Sequence, residues 1–181
     1  TDVGGDNKQA TRLLLLVQNS QGYLHLCNLL ARTWTSNTQR SQAWVKWSWL
    51  DEYSPGLLAL SGADQGALGQ ALLAQDDERA RSVMGLLTRA FEGRFYVELQ
   101  RAGLPSNEAH VHAACEFAAA MKLPVVATHP VQYLTPDDFE AHEARVCVAE
   151  GETLANPRRV KRFSREQYFK SQAQMAPLFA A

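Results

Sequence analysis

Residues 54–62 read SPGLLALSG, and this stretch decides the fold class. Pro55 and Gly56 make a turn, because proline presets one backbone angle and glycine enters the left-handed region without a steric cost. Leu57, Leu58, Ala59 and Leu60 then form a continuous apolar run, and Ser61 and Gly62 punctuate its end. A strand with one wet face alternates apolar and polar residues; this one does not, so it is predicted to be buried on both faces, like parallel strands flanked by helices. Two similar runs follow, FYVELQ at 95–100 and LPVVAT at 123–128. Helical patterns separate them. Residues 66–74 and 77–91 form two, the second with Asp77 and Glu78 in its first turn, where carboxylates suit the helix dipole. A third runs from Ser106 to about Lys122, with Ala113, Ala114, Phe117, Ala118 and Met121 as its apolar stripe and Pro124 as its stop. The alternation of apolar strands with helices predicts an α/β domain with a mainly parallel sheet, whose informative loops lie just after Leu60, Gln100 and Thr128.

Working outward, residues 11–17 read as a buried strand and residues 20–34 as a helix carrying Tyr23, Leu26, Leu29 and Leu30. Residues 35–42 are polar and read as a loop. The stretch WVKWSWLDEY after them fits either element type. Beyond the last strand, residues 137–151, 164–168 and 172–179 read as mostly helical. Residues 1–10 are polar and expected to be flexible, and residues 11–181 to form a single domain.

The 181 residues are 46% hydrophobic and 20% charged, the balance of a globular chain. Eighteen Lys and Arg against nineteen Asp and Glu leave a net charge of −1, which excludes a protein built to neutralise nucleic-acid phosphates over its whole surface. No apolar run approaches the ~20 residues of a membrane helix. Cys27, Cys115 and Cys147 form no CxxC pair, so zinc-ribbon and thioredoxin-type motifs are missing, and a reducing, cytoplasmic setting is expected. The polar start has no signal-peptide pattern and no initiating Met, which reads as an excised piece of a longer chain.

Individual residues offer little convergent chemistry. His110 and His112 form an HxH pair, but on a helix residues two apart diverge by ~200° and cannot share a metal; both are expected to be solvated. His129 follows a strand directly, a functional position in a parallel fold, and His142 has Asp138, Glu140 and Glu143 nearby. HExxH and 2-His-1-carboxylate spacings do not occur, so hydrogen-bonded structural histidines are expected. GxSxG, GxxxxGK[ST] and GxGxxG motifs are missing too. The run RRVKRFSR places Arg158, Arg159, Lys161, Arg162 and Arg165 where they would contact DNA phosphates, an acidic partner, or only water. Trp44, Trp47 and Trp49 read as packing or interface residues, with a stacking platform for single-stranded nucleic acid as the alternative.

Four strings, SPGLLALSG, FYVELQRAG, LPVVATHPVQYLTPDDFEAHEARVCVAEGETL and FSREQYFKSQAQM, strongly resemble the amino-terminal PHP domain of bacterial replicative polymerases of the DNA polymerase III alpha type. The resemblance runs from about Thr11 to Phe179. It implies a distorted (β/α)7 barrel of mainly parallel strands, here incomplete, with the first strands, their HxH motif and further metal ligands missing. It also implies that the polymerase palm lies beyond this segment, so that the parent is a DNA-directed DNA polymerase, a nucleotidyltransferase, while this part is non-catalytic.

Some members of the family bind metals and resemble metal-dependent phosphoesterases. Three of their ligand positions match residues here. The residue after LSG, commonly Cys, is Ala63; a DxH pair after the later strand is replaced by Pro130 and Gln132. Alanine and proline have no side-chain donor, and a neutral amide is a poor substitute for imidazole. His129 is one residue out of register with that pair, which on a strand turns a side chain to the opposite face. The resemblance therefore implies a degenerate metal site, no cofactor in this segment, and a scaffold in DNA replication that supports the polymerase core, docks the proofreading exonuclease subunit and meets DNA through the assembled enzyme. The rival is a metal-dependent phosphoesterase or 3′-exonuclease with ligands outside this segment. A further expectation is that an open sheet edge lets the isolated chain pair with a second copy.

Overall fold

The computed structural model describes residues 10–39 and 42–180, so all but the last residue of the expected flexible N-terminal segment lies outside the described residues. Six strands and seven helices are described: β1 (Leu14–Val17), α1 (Ser20–Ser36), β2 (Thr38–Gln39), β3 (Gln42–Ala43), α2 (Trp47–Tyr53), β4 (Leu57–Leu60), α3 (Ala67–Leu73), α4 (Asp77–Ala90), β5 (Phe95–Gln100), α5 (Asn107–Met121), β6 (Val125–Thr128), α6 (Phe139–Glu150) and α7 (Gln172–Met175). Four strands form one sheet in the order β1-β4-β5-β6, and β2 pairs with β3. The chain divides into two compact units. One holds the residues up to Glu98 with His112–Val126, the other Leu99–Val111 with the residues from Ala127 onward.

In the first unit β4 and β5 occupy the centre of the sheet and pair in parallel, Ala59 opposite Phe95. Leu57, Ala59 and Val97 are wholly buried there, as their unbroken apolar runs require. Helix α4 begins where Asp76 accepts a hydrogen bond from Arg79 N at 3.0 Å, and Asp77 and Glu78 fill its first turn. Ala80, Val83, Leu87 and Ala90 form its buried stripe. The undecided tryptophan segment folds as α2, burying Trp49 and Leu50.

The sheet departs from the expected parallel order at β1, which pairs antiparallel with β4, Leu14 opposite Leu60 and Val17 opposite Leu57. The cause is a close backbone crossing. Asn19 caps α1 through Gly22 N (2.9 Å), and Gln18 N donates to Gly56 O (2.9 Å). A Cβ built on Gly22 would lie 1.9 Å from Gly56 O, so only glycine permits the approach. The excursion through α1 and α2 thus returns the chain to the point where β1 ended, and β4 must run back along it. Both outer strands are also less buried than expected: Leu14, Leu16 and Val17 are 44–46% exposed and Val125 48%. Among the described residues they are the two outer strands of the sheet, where one side of the strand lacks a described neighbour.

The second unit is organised by side-chain contacts rather than by a sheet. His142 is buried on α6 against Tyr133 and Phe163, with ring centroids 5.4 Å and 4.7 Å away. Residues 164–168, expected to be helical, instead form turns and an isolated bridge between Tyr133 and Tyr168. Apart from one turn bond from Gln167 N to Ser164 O (3.4 Å), the stretch and its neighbour Phe169 bond to residues 132 and 133: Gln132 N donates to Gln167 O (2.8 Å) and Phe169 N to Tyr133 O (3.0 Å).

Candidate functional site

The turn after β4 is the first position singled out by the sequence. Ser61 N donates to Tyr96 O (3.0 Å), and Glu98 N donates to Ser61 Oγ (2.9 Å), which fixes the strand end against β5. Gly62 (φ +83°) and Ala63 (φ +49°) are consecutive left-handed residues. Here Gly62 N donates to the Glu98 carboxylate at 3.1 Å. Glu98 is 3% exposed, so its carboxyl group lies inside the sheet and needs such partners. Ala63 is itself buried and presents a methyl group, which has no donor atom. Its neighbour Gly66 is constrained as tightly, since a Cβ there would come within 1.8 Å of Ser61 O.

The second position is the turn after β6, in the other unit. His129 Nε2 donates to Glu166 O at 2.7 Å, and Val131 N closes a tight turn onto His129 O (2.9 Å). Pro130 O accepts from Gln167 Nε2 (3.1 Å), and Tyr133 OH donates to Ser164 O (2.6 Å). Residues 129–133 are therefore laced to residues 164–169. Gln132 takes part through its backbone and exposes its side chain. Burial pushes the His129 pKa down, Lys170 adds to that shift, and the bond to Glu166 O offsets part of it. Lys170 is held by Glu166 (Nζ–Oε2 2.7 Å) and lies 3.7 Å from the Tyr168 ring centroid. Burial opposes its charge, but Glu166 and Tyr168 outweigh burial and raise its pKa.

The remaining candidates separate cleanly. His112 is exposed beside Glu116 at 3.5 Å, whereas His110 is 1% exposed, which overturns its expected solvation. The ~200° divergence that keeps the two rings apart sends one outward and the other into the core. His142 accepts from Arg145 Nη2 (3.3 Å), and burial, then Arg145, lowers its pKa; it is a packed structural histidine. Of the basic run, Arg159 is buried against Glu143, Arg162 meets Glu150 at 3.1 Å, and Arg165 covers the Phe139 ring at 4.8 Å. Arg158 and Lys161 point to solvent. Trp49 is buried, and Trp44 and Trp47 are half-buried. Among the described residues, no three His, Cys, Asp or Glu side chains are grouped to hold a metal ion, and no helix is long and apolar enough to cross a membrane.

Sequence reasoning missed Glu98 and the set of Glu166, Tyr168 and Lys170. The signal for Glu98 was present: a charge between Val97 and Leu99, inside a buried strand, demands compensation.

Comparison with known proteins gives the same assignment. The chain is 41% identical over 170 residues to DNA polymerase III subunit alpha of Pseudomonas aeruginosa, covering 94% of this chain and 14% of the relative. It is 38% identical over 172 residues to that of Vibrio cholerae (95% and 15%), and 36% identical over 179 residues to that of Escherichia coli (99% and 15%). The chain thus spans about one-seventh of the length of these relatives. The family model described as PHP domain matches residues 1–102, a span that includes Ser61, Gly62, Ala63 and Glu98 but not residues 129–132. On these matches, and on the α/β fold described above, the chain belongs to the PHP domain family.

Proposed function

We propose that this chain works within a replicative DNA polymerase alpha subunit in the cytoplasm as a non-catalytic PHP scaffold, supporting the polymerase core and docking the proofreading exonuclease subunit. The observation that carries the reading is the chemistry at the three matched ligand positions. Ala63 supplies a methyl, Pro130 no side-chain donor, and Gln132 a neutral amide directed to solvent. The nearest imidazole, His129, donates from Nε2 to Glu166 O, and among the described residues no two further His, Cys, Asp or Glu side chains are grouped with it to hold an ion. A metal that activates water needs several convergent donors to lower the water's pKa, and these residues do not fit one. Similarity to polymerase alpha subunits across almost the whole chain supports the assignment to DNA replication.

Elemental mass spectrometry of the complete alpha subunit, combined with co-elution with the exonuclease subunit, tests both halves of the proposal. A metal ratio near zero together with a stable complex is the expected result. Near-stoichiometric zinc, manganese or iron, with chelator-sensitive cleavage of single-stranded DNA, would instead establish the phosphoesterase reading. Failure to co-elute at micromolar concentration would remove the docking role. Alone, the chain pairs with a second copy along β1, an outer strand among the described residues whose leucines are half exposed; light scattering that shows only monomer at high concentration removes that part.

A further inference from the structure

A cleft of about 360 Å³ lies in the first unit. Ala67, Val83 and Leu86 make its apolar wall, Trp47 flanks it, and Asp76, Glu78, Arg79 and Ser82 complete its lining. The arrangement follows from the helix starts. Trp47 is the first residue of α2, Ala67 the first of α3, and Asp76 caps α4. Residues 79, 82, 83 and 86 then lie along one face of α4 by their 3- and 4-residue spacing. The two carboxylates outnumber the one guanidinium, so the lining carries net negative charge.

The same helix α2 already shows what such a combination binds. Two residues past Trp47, Trp49 holds the guanidinium of Arg32, its Cζ 4.6 Å from the ring centroid. Tyr53 lies on the same group at 5.8 Å, and Glu52 accepts from Arg32 Nη1 at 2.8 Å. That intramolecular site consists of an aromatic face and a carboxylate around one arginine. Trp47 with Asp76 and Glu78 repeats the combination, with apolar surface added at Val83 and Leu86.

We propose that this cleft docks an arginine side chain presented by a partner polypeptide. Its three methylenes lie on Val83 and Leu86, as long cationic side chains cover apolar surface while keeping the head group wet. Its guanidinium stacks on Trp47 and faces Glu78 and Asp76, where planar geometry favours arginine over lysine. The inference rests on this cleft alone and stands or falls independently of the scaffold reading.

The test is titration of the isotopically labelled full chain with acetyl-arginine methylamide, alongside the lysine, norleucine and glutamate analogues. The expected result is a saturable shift of the Trp47 indole N–H and of the Val83 and Leu86 amides, with arginine tighter than norleucine by about fivefold or more. Glu78→Gln, an exposed change that keeps the fold, weakens arginine binding by about threefold and leaves norleucine unaffected. Trp47→Leu removes the preference for arginine over lysine. An absent shift at Trp47 up to about 50 mM ligand, equal binding of norleucine, or tighter binding of glutamate would each overturn the proposal.

Discussion

Replacing Gly22 by alanine attacks the contact that sets the direction of the sheet. The new Cβ would sit 1.9 Å from Gly56 O and 2.4 Å from Gly56 C, well inside the van der Waals separation, and both obstacles are backbone atoms that cannot rotate aside. Relief requires α1 to withdraw from the turn before β4. That withdrawal strains the bond from Gln18 N to Gly56 O and the Asn19 cap on Gly22 N. Overpacking of this kind costs about 1–3 kcal/mol, and more where the neighbours cannot yield. Alanine's better helix propensity returns up to about 1 kcal/mol, so a net loss of about 2 kcal/mol is expected. Gly85 supplies the control: it lies inside α4 with nothing within 4 Å of its would-be Cβ. Gly85→Ala therefore stabilises by about 0.8–1 kcal/mol through propensity alone. Urea unfolding followed by circular dichroism should move the two midpoints in opposite directions. A Gly22→Ala protein as stable as the parent, beside a stabilised Gly85→Ala, would refute the backbone crossing and the account of why β1 runs antiparallel.

Three further outcomes follow from the local geometry. At Ala63, glycine removes a left-handed penalty of about 1–2 kcal/mol and a buried methyl worth about 0.8 kcal/mol, so Ala63→Gly is close to neutral; Ala63→Val combines positive φ with β-branching and should unfold at clearly lower urea. Glu143→Ala should lower the unfolding midpoint, because it strands buried Arg159 without its carboxylate, whereas Arg162→Ala removes only an exposed pair and should leave the midpoint almost unchanged; equal effects would show that burial is not what matters. Stability should also fall as the pH drops below about 6.5. His129 and His142 have folded pKa values below their unfolded ones, so below that pH the unfolded chain binds more protons and is favoured. His142→Phe should flatten the pH dependence of urea unfolding, and an unchanged slope would mean that His142 titrates normally in the fold.

How far the fold was legible depended on where each residue's bonding partners lie. Strands β4 and β5 were readable to the residue because burial on both faces leaves a mostly apolar run between turn residues, unbroken in β4 and interrupted in β5 only by Glu98 before its polar end. The direction of β1 was not, because periodicity reports which faces are buried and not which way a neighbour runs; the deciding fact is a contact between Gly22 and Gly56, far apart in sequence. The same limit hid the exposure of β1 and β6, since Val125 in an edge strand has the same composition as a valine in a central one. Residues 164–168 failed for a related reason. Their spacing suits a helix, but Gln167 and Ser164 bond to Pro130, Ala102 and Tyr133, and tertiary partners overrode local preference.

The candidate site shows the reverse pattern, in which residue identity said more than position. Ala63, Pro130 and Gln132 lack strong donors wherever the backbone puts them, so their chemistry could be read without coordinates. What needed the structure was how the neighbouring polar groups are used. The left-handed turn at Gly62 and Ala63 directs an N–H toward Glu98, so that buried carboxyl group already serves to hold the turn. After β6, His129 joins residues 164–169 through Glu166 O, and Tyr133 does so through Ser164 O. In both units, polar side chains beside the matched positions serve as internal fasteners, and the positions themselves, Ala63, Pro130 and Gln132, bring no strong donor to join the one ring nitrogen that His129 keeps unbonded.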